Sequence, residues 1–172
     1  PEARNEVLAL SKTYKGAYYT DLEANESTFK EQSSNYAVLH LALHSLLNTN
    51  FPIFSSLVFT QTNDSIQDNL LHSYEISRLQ LNADLVVLSA CETGYGKFEQ
   101  GEGILSLGRS FMYAGVPSLV VSLWQVNDAS TAVIMKSFYS NLAEGMNKSA
   151  ALREAKLSYM QTAKGIMAHP AF

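Results

Sequence analysis

One cysteine, Cys91, and one histidine, His44, occupy matching places in the 172-residue sequence: each follows an apolar, β-branched run by one position. The runs are 36–43 (YAVLHLAL) and 84–90 (DLVVLSA), and both read as strands, the first buried on both faces. If the two strands are parallel members of one sheet, thiol and imidazole emerge at the same edge. Functional groups in such sheets gather just beyond the carboxyl ends of the strands. A thiol activated by a nearby base, which then protonates a leaving amine, is the arrangement that nucleophilic catalysis requires. A lone cysteine is more often a small buried hydrophobe, so neither residue is specific alone. At matching strand ends they gain weight together.

The surrounding residues divide into chemical and plain readings. His40 lies on the same face of its strand as His44 and reads as a satisfied core or supporting histidine. His72 and His169 stand in polar surroundings and read as surface residues. Glu92 either lines a substrate pocket or faces solvent; a carboxylate beside a thiolate raises the thiol pKa and does not activate it. The loop 91–101 (CETGYGKFEQG) is rich in glycine but lacks the GxxxxGK[ST] and GxGxxG patterns, so a mobile substrate loop explains it better than phosphate binding. Trp124 walls a substrate pocket or simply packs at the sheet edge. Asp128 reads as a helix cap. No His, Asp or Glu spacing points to a metal site, and none of this chemistry calls for a cofactor.

These residues need a scaffold, and the chain supplies alternating elements. Helices are expected at 2–15, 25–32 with Asn25 as cap, 73–80, 103–114, 129–144 capped by Asn127 or Asp128, and 148–163. Strands are expected at 17–20, 36–43, 55–60, 84–90 and 118–123, the last after a turn at Gly115-Val116-Pro117. Strands alternating with helices imply an α/β fold with a mostly parallel central sheet flanked by helices. The reading is a single domain over 1–172, and Pro1 in place of a starting Met marks it as an excerpt of a longer chain.

Composition narrows the classes further. Apolar residues make up 47% and charged residues 16%, with a net charge of −4, which fits a packed globular domain. A basic stripe is missing, so nucleic acid and anionic membranes are poor partners. No stretch approaches the roughly 20 apolar residues of a spanning helix, and the first ten residues do not form a signal peptide. One cysteine excludes an internal disulfide framework and a CxxC site. A cytoplasmic location is expected.

The segments VLHLALHS, LVVLSACETG and GEGILSLGRSFMYAGVPSLVVSLWQVND resemble the CHAT domain, a caspase-like peptidase domain often fused to tetratricopeptide repeats. His44 precedes Cys91 by 47 residues, and caspase-type nucleophiles have their histidine roughly 50 residues upstream. The resemblance runs nearly end to end and is most specific over 83–155. It implies a caspase-like layered fold, Cys91 as nucleophile, His44 as its acid–base partner, and an oxyanion hole from the backbone N–H of Cys91 and of Ser45. It also implies a protein substrate, Glu92 and Trp124 as substrate-binding residues, and control by a fused tetratricopeptide-repeat region or a regulatory partner. The family usually has glycine where Ser45 stands, and basic-specific relatives carry an Asp where Ser89 stands. The family pattern also extends upstream of Pro1 and beyond Phe172. The leading expectation is a cysteine endopeptidase; a non-catalytic interaction module, favoured by Ser45, is the alternative. A flavodoxin-like binding domain with a structural cysteine is a third reading that leaves His44 unexplained.

Overall fold

The computed structural model describes residues 2–12, 14–63, 65–89, 102–122, 128–163 and 165. In chain order the elements are α1 (Glu2–Ser11), α2 (Glu26–Gln32), β1 (Val38–Leu41), β2 (His44–Leu46), β3 (Ser56–Val58), β4 (Leu70–His72), α3 (Ser73–Ile76), β5 (Leu85–Leu88), α4 (Glu102–Tyr113), β6 (Leu119–Val121), α5 (Asp128–Ala143) and α6 (Lys148–Thr162). They fall into two compact units, one of Tyr19–Gln125 and one of Pro1–Tyr18 with Val126–Phe172.

The larger unit holds both sheets. β1, β5 and β6 form a parallel sheet in the order β1-β5-β6, with Leu41 opposite Leu88 and Leu88 opposite Val121. β2, β3 and β4 form a second, antiparallel sheet in that order. The parallel sheet and its helices bear out the α/β expectation, and the antiparallel sheet is an addition to it. The strands expected at 36–43, 55–60 and 84–90 are shorter than read. The 36–43 run is not buried on both faces: in β1 the exposed Val38 and half-buried His40 alternate with the buried Leu39 and Leu41. Only β5, the central strand, is buried along its whole length. β6 is half-buried throughout, and among the described strands it pairs with β5.

A single apolar cluster ties the two sheets together. It joins Leu39 and Leu41 of β1, Leu57 of β3, Leu71 of β4, Val86 and Leu88 of β5, and Leu107 and Phe111 of α4. α4 ends on a glycine cap: Gly115 takes φ +108°, and the N–H groups of Gly115 and Val116 donate to Met112 O and Phe111 O. A side chain at position 115 would also meet Leu81 O at 3.0 Å. The expected turn into β6 therefore rests on a residue type that no other side chain replaces without strain.

α2 is capped as expected, Asn25 Oδ1 accepting the Thr28 N–H at 2.9 Å. Beneath it lies an ion-pair cluster: Lys30 Nζ is 2.6 Å from Glu26 and 2.7 Å from Glu75, and donates to Gln67 Oε1. α3 is one turn long, shorter than the 73–80 expected.

In the smaller unit α5 packs along α6 and against α1. Asn147 caps α6 by accepting the Ala150 N–H, a cap the sequence reading missed. α5 is described from Asp128 onward, and Asn127 lies outside the described residues. The strand expected at 17–20 does not form. Tyr18 instead turns its hydroxyl back to donate to Tyr14 O at 2.9 Å, and residues 17–20 pair with no described strand.

Candidate active site

The parallel sheet brings together the two strand ends that the sequence singles out. β1 and β5 are neighbours, Leu41 opposite Leu88, and the Ser89 N–H donates to Leu41 O at 3.0 Å. His44 comes three residues after Leu41, and Cys91 stands three positions after Leu88 in the sequence. Cys91, Glu92, the loop 91–101, Trp124 and His169 lie outside the described residues.

His44 is placed differently from the expectation. It does not trail the end of β1; the chain leaves the parallel sheet after Leu41 and His44 opens β2 of the antiparallel sheet. It therefore shares no strand face with His40, which sits half-buried in β1 opposite Val87. Strand alternation then sorts the residues of β2. His44 and Leu46 lie on the exposed face, and Ser45 points inward, only 1% exposed, in a row with the fully buried Leu57 and Leu71. The buried row anchors β2 to the core, which fixes the backbone on which His44 is mounted.

The ladder pattern shows where the backbone groups of β2 point. Between β3 and β4, Phe59 N–H donates to Asn69 O at 2.9 Å and Ser73 N–H to Ser55 O at 2.8 Å. Residues bonded to one neighbouring strand alternate with those bonded to the other. Residues 55, 57 and 59 thus face β4, and Ser56 and Val58 face β2, where their opposites are Leu46 and His44. Ser45, opposite Leu57, falls in the non-bonded position. Its N–H and C=O are directed to the outer edge of the sheet, where no described strand pairs.

Position 45 also makes no demand for glycine. Ser45 lies in regular strand, and the described non-glycine residues with positive φ are Asp21 and Asn69 alone. The serine in place of the family's usual glycine carries no backbone penalty here.

The face of the antiparallel sheet that carries His44 was not anticipated; it is exposed at His44 and Leu46, half-buried at Val58, Leu70 and His72, and buried at Ser56. Opposite residues share a face, so His44, Val58 and Leu70 form one row and Leu46, Ser56 and His72 the next. His72 is not a plain surface residue: its ring stacks on Tyr74 at 5.2 Å, and Nδ1 lies 3.1 Å from Phe54 O. The signal for this sheet was present in the turn between β2 and β3. Asn48 accepts the Phe51 N–H at 2.8 Å, and its own N–H donates to Ser55 Oγ, so LNTNFP closes a hairpin-like return.

Among the described residues no group of three or more His, Cys, Asp or Glu side chains could hold a metal ion. No helix among them is long and apolar enough to cross a membrane.

A parallel three-stranded sheet with helices, and a histidine that opens the strand after β1, make this a mixed α/β domain, consistent with a caspase-like fold. The chain belongs to the CHAT domain family, whose sequence profile matches residues 1–172. It is also similar to tetratricopeptide repeat protein 28 of Homo sapiens, 36% identical over 105 residues, and to the protein of that name in Mus musculus, 33% identical over 105 residues. The matched stretch covers 61% of this chain but only 4% of either relative.

Proposed function

We propose that this chain is the catalytic domain of a cysteine endopeptidase, with Cys91 as nucleophile and His44 as general acid and base. The observation that carries the reading is the pairing of β1 with β5. Leu41 and Leu88 lie side by side in parallel strands, so β1 and β5 end at neighbouring positions, three residues before His44 and three before Cys91 in the sequence. Family membership supports the same assignment, since CHAT domains are caspase-like.

The chemistry follows from the residue types. The Cys91 thiolate attacks the scissile carbonyl carbon, and the oxyanion of the tetrahedral intermediate accepts hydrogen bonds from the N–H groups of Cys91 and Ser45. An outward N–H at Ser45, unused by the ladder, suits that role. His44 gives a proton to the leaving nitrogen, the C–N bond breaks, and an acyl-enzyme remains. Water, losing a proton to His44, then attacks the thioester and releases the acid and the thiolate. Metal and organic cofactors have no part in these steps. Glu92 and Trp124 contribute to substrate binding in this account. The unit of function is the whole of 1–172, located in the cytoplasm and controlled by a fused tetratricopeptide-repeat region or a bound regulator; the repeat-bearing names of the relatives favour the former. The interaction-module alternative drew on Ser45, and the extended backbone there removes that support.

The test is cleavage of the partner protein by the full-length parent under its activating condition. Cys91→Ala should abolish cleavage and leave the domain folded. Undiminished cleavage by that variant ends the peptidase reading and promotes the interaction module.

A further inference from the structure

We propose that the His44-bearing face of β2, β3 and β4, exposed at His44 and Leu46 and half-buried at Val58 and Leu70, binds the leaving-group side of the substrate and selects an apolar residue in its first two positions. The inference rests on the peptidase reading above and extends it to specificity. His44, as general acid, must come within about 2.6–3.2 Å of the leaving nitrogen. That nitrogen begins the leaving segment, and the next Cα follows only about 3.8 Å further on. Whatever flanks the imidazole on its own face therefore meets the first side chains of that segment.

Those flanking groups are apolar. Val58 lies directly opposite His44, Leu70 is next in the same row, and Leu46 is two residues along β2. Cross-strand neighbours of this kind have Cβ atoms about 4.5–5.5 Å apart, within reach of one bound side chain. Leu46 is 43% exposed, a large apolar side chain facing solvent beside the proposed acid. The remaining members of the two rows are Ser56, which is buried, and His72, whose Nε2 lies 4.0 Å from the exposed Asp68 carboxylate; the residues next to His44 itself carry no charge. Val58, Leu70 and Leu46 offer no partner to a charged side chain set against them, whereas Leu, Ile, Val, Met or Phe gains apolar contact. The wholly buried opposite face, with Ser45, Leu57 and Leu71, holds this surface rigid.

The experiment exposes a proteome-derived peptide library to the full-length parent under its activating condition and reads cut sites by mass spectrometry. Cuts that persist in Cys91→Ala are background. The Cys91-dependent cuts should be enriched for apolar residues at the first or second position after the scissile bond. Leu46→Lys should lower kcat/KM for those sites about tenfold and shift preference toward acidic residues there. Leu46→Ser, a gentler change at the same exposed position, should weaken the apolar preference without the acidic shift. Cys91-dependent cuts with no leaving-side preference, or a preference untouched by both variants, overturn the inference while leaving the peptidase reading intact. A cut pattern identical to that of Cys91→Ala overturns both.

Discussion

Exchanging the Ser45 peptide N–H for an ester oxygen, with the serine side chain kept, removes one donor and adds no bulk. The ladder bonds of β2 run through His44 and Leu46, opposite Val58 and Ser56, so the exchange at position 45 deletes none of their donors. It weakens the His44 carbonyl as an acceptor, which should lower stability by no more than about 1 kcal/mol. If the Ser45 N–H stabilises the oxyanion, loss of one such donor should slow cleavage by about 10²–10³-fold, equivalent to roughly 2.7–4 kcal/mol of barrier. The same exchange at Leu46 supplies the contrast. There the deleted N–H belongs to the ladder, so stability should fall by about 0.5–1.5 kcal/mol while the cleavage rate of the folded protein stays within a few-fold. Single-turnover cleavage and urea midpoints of the semisynthetic full-length proteins give both quantities. A Ser45 ester that cuts at the parent rate, or a Leu46 ester that loses as much activity, refutes the ladder argument.

Three further outcomes bear on the scaffold. Lys30→Met leaves Glu26, only 1% exposed, without its ion-pair partner at 2.6 Å, and a broken buried pair should cost about 3–5 kcal/mol in urea denaturation, partly restored by adding Glu26→Gln. Burial alone would lower the Lys30 pKa, but the hydrogen bonds to Glu26 and Glu75 outweigh it and hold the amine above its ordinary 10.5. Its stabilisation is therefore complete below 10.5 and lost as pH rises through the higher folded value. Burial likewise raises the Tyr139 phenol above its ordinary 10.0, which acts in the same direction. The melting temperature should accordingly show no fall from these groups between pH 7 and 9; a Lys30-dependent fall already at pH 8, absent in Lys30→Met, contradicts the sign. Phe111→Ala empties a fully buried position in the core and should cost about 3–5 kcal/mol, read from the shift in urea midpoint.

Much of the parallel sheet was legible because its strands are short apolar runs bounded by turn residues. β5 (LVVL) and α4 were visible in this way, as was the Gly115 turn, where backbone geometry dictates the residue. The break between β1 and β2 was not. YAVLHLALHS is apolar but for His40, His44 and Ser45, and nothing in its composition marks Ala42 and Leu43, the two residues at which the chain leaves one sheet for another. Burial on both faces was inferred from that continuity, whereas β1 alternates exposed or half-buried residues with buried ones. β2 and β4 have three residues each, too short for a two-residue period to declare itself. Their signals were in the connections instead: Asn48 at the β2–β3 return and the Asp68-Asn69 pair before β4, with Asn69 at φ +67°. His44 was singled out by residue type and spacing, but its apolar neighbours come from strands 12 or more positions away and follow only from register.

The central claim is that Cys91 is a nucleophile activated by His44, and covalent trapping tests it most directly. The full-length parent, under its activating condition, is treated with a peptidyl electrophile, and the adduct is located by intact-mass measurement and peptide mapping. The account predicts one adduct, on Cys91, with a labelling rate about 10²–10⁴-fold lower in His44→Ala. A protein that cleaves its partner while Cys91 stays unlabelled, or a labelling rate indifferent to His44→Ala, contradicts it.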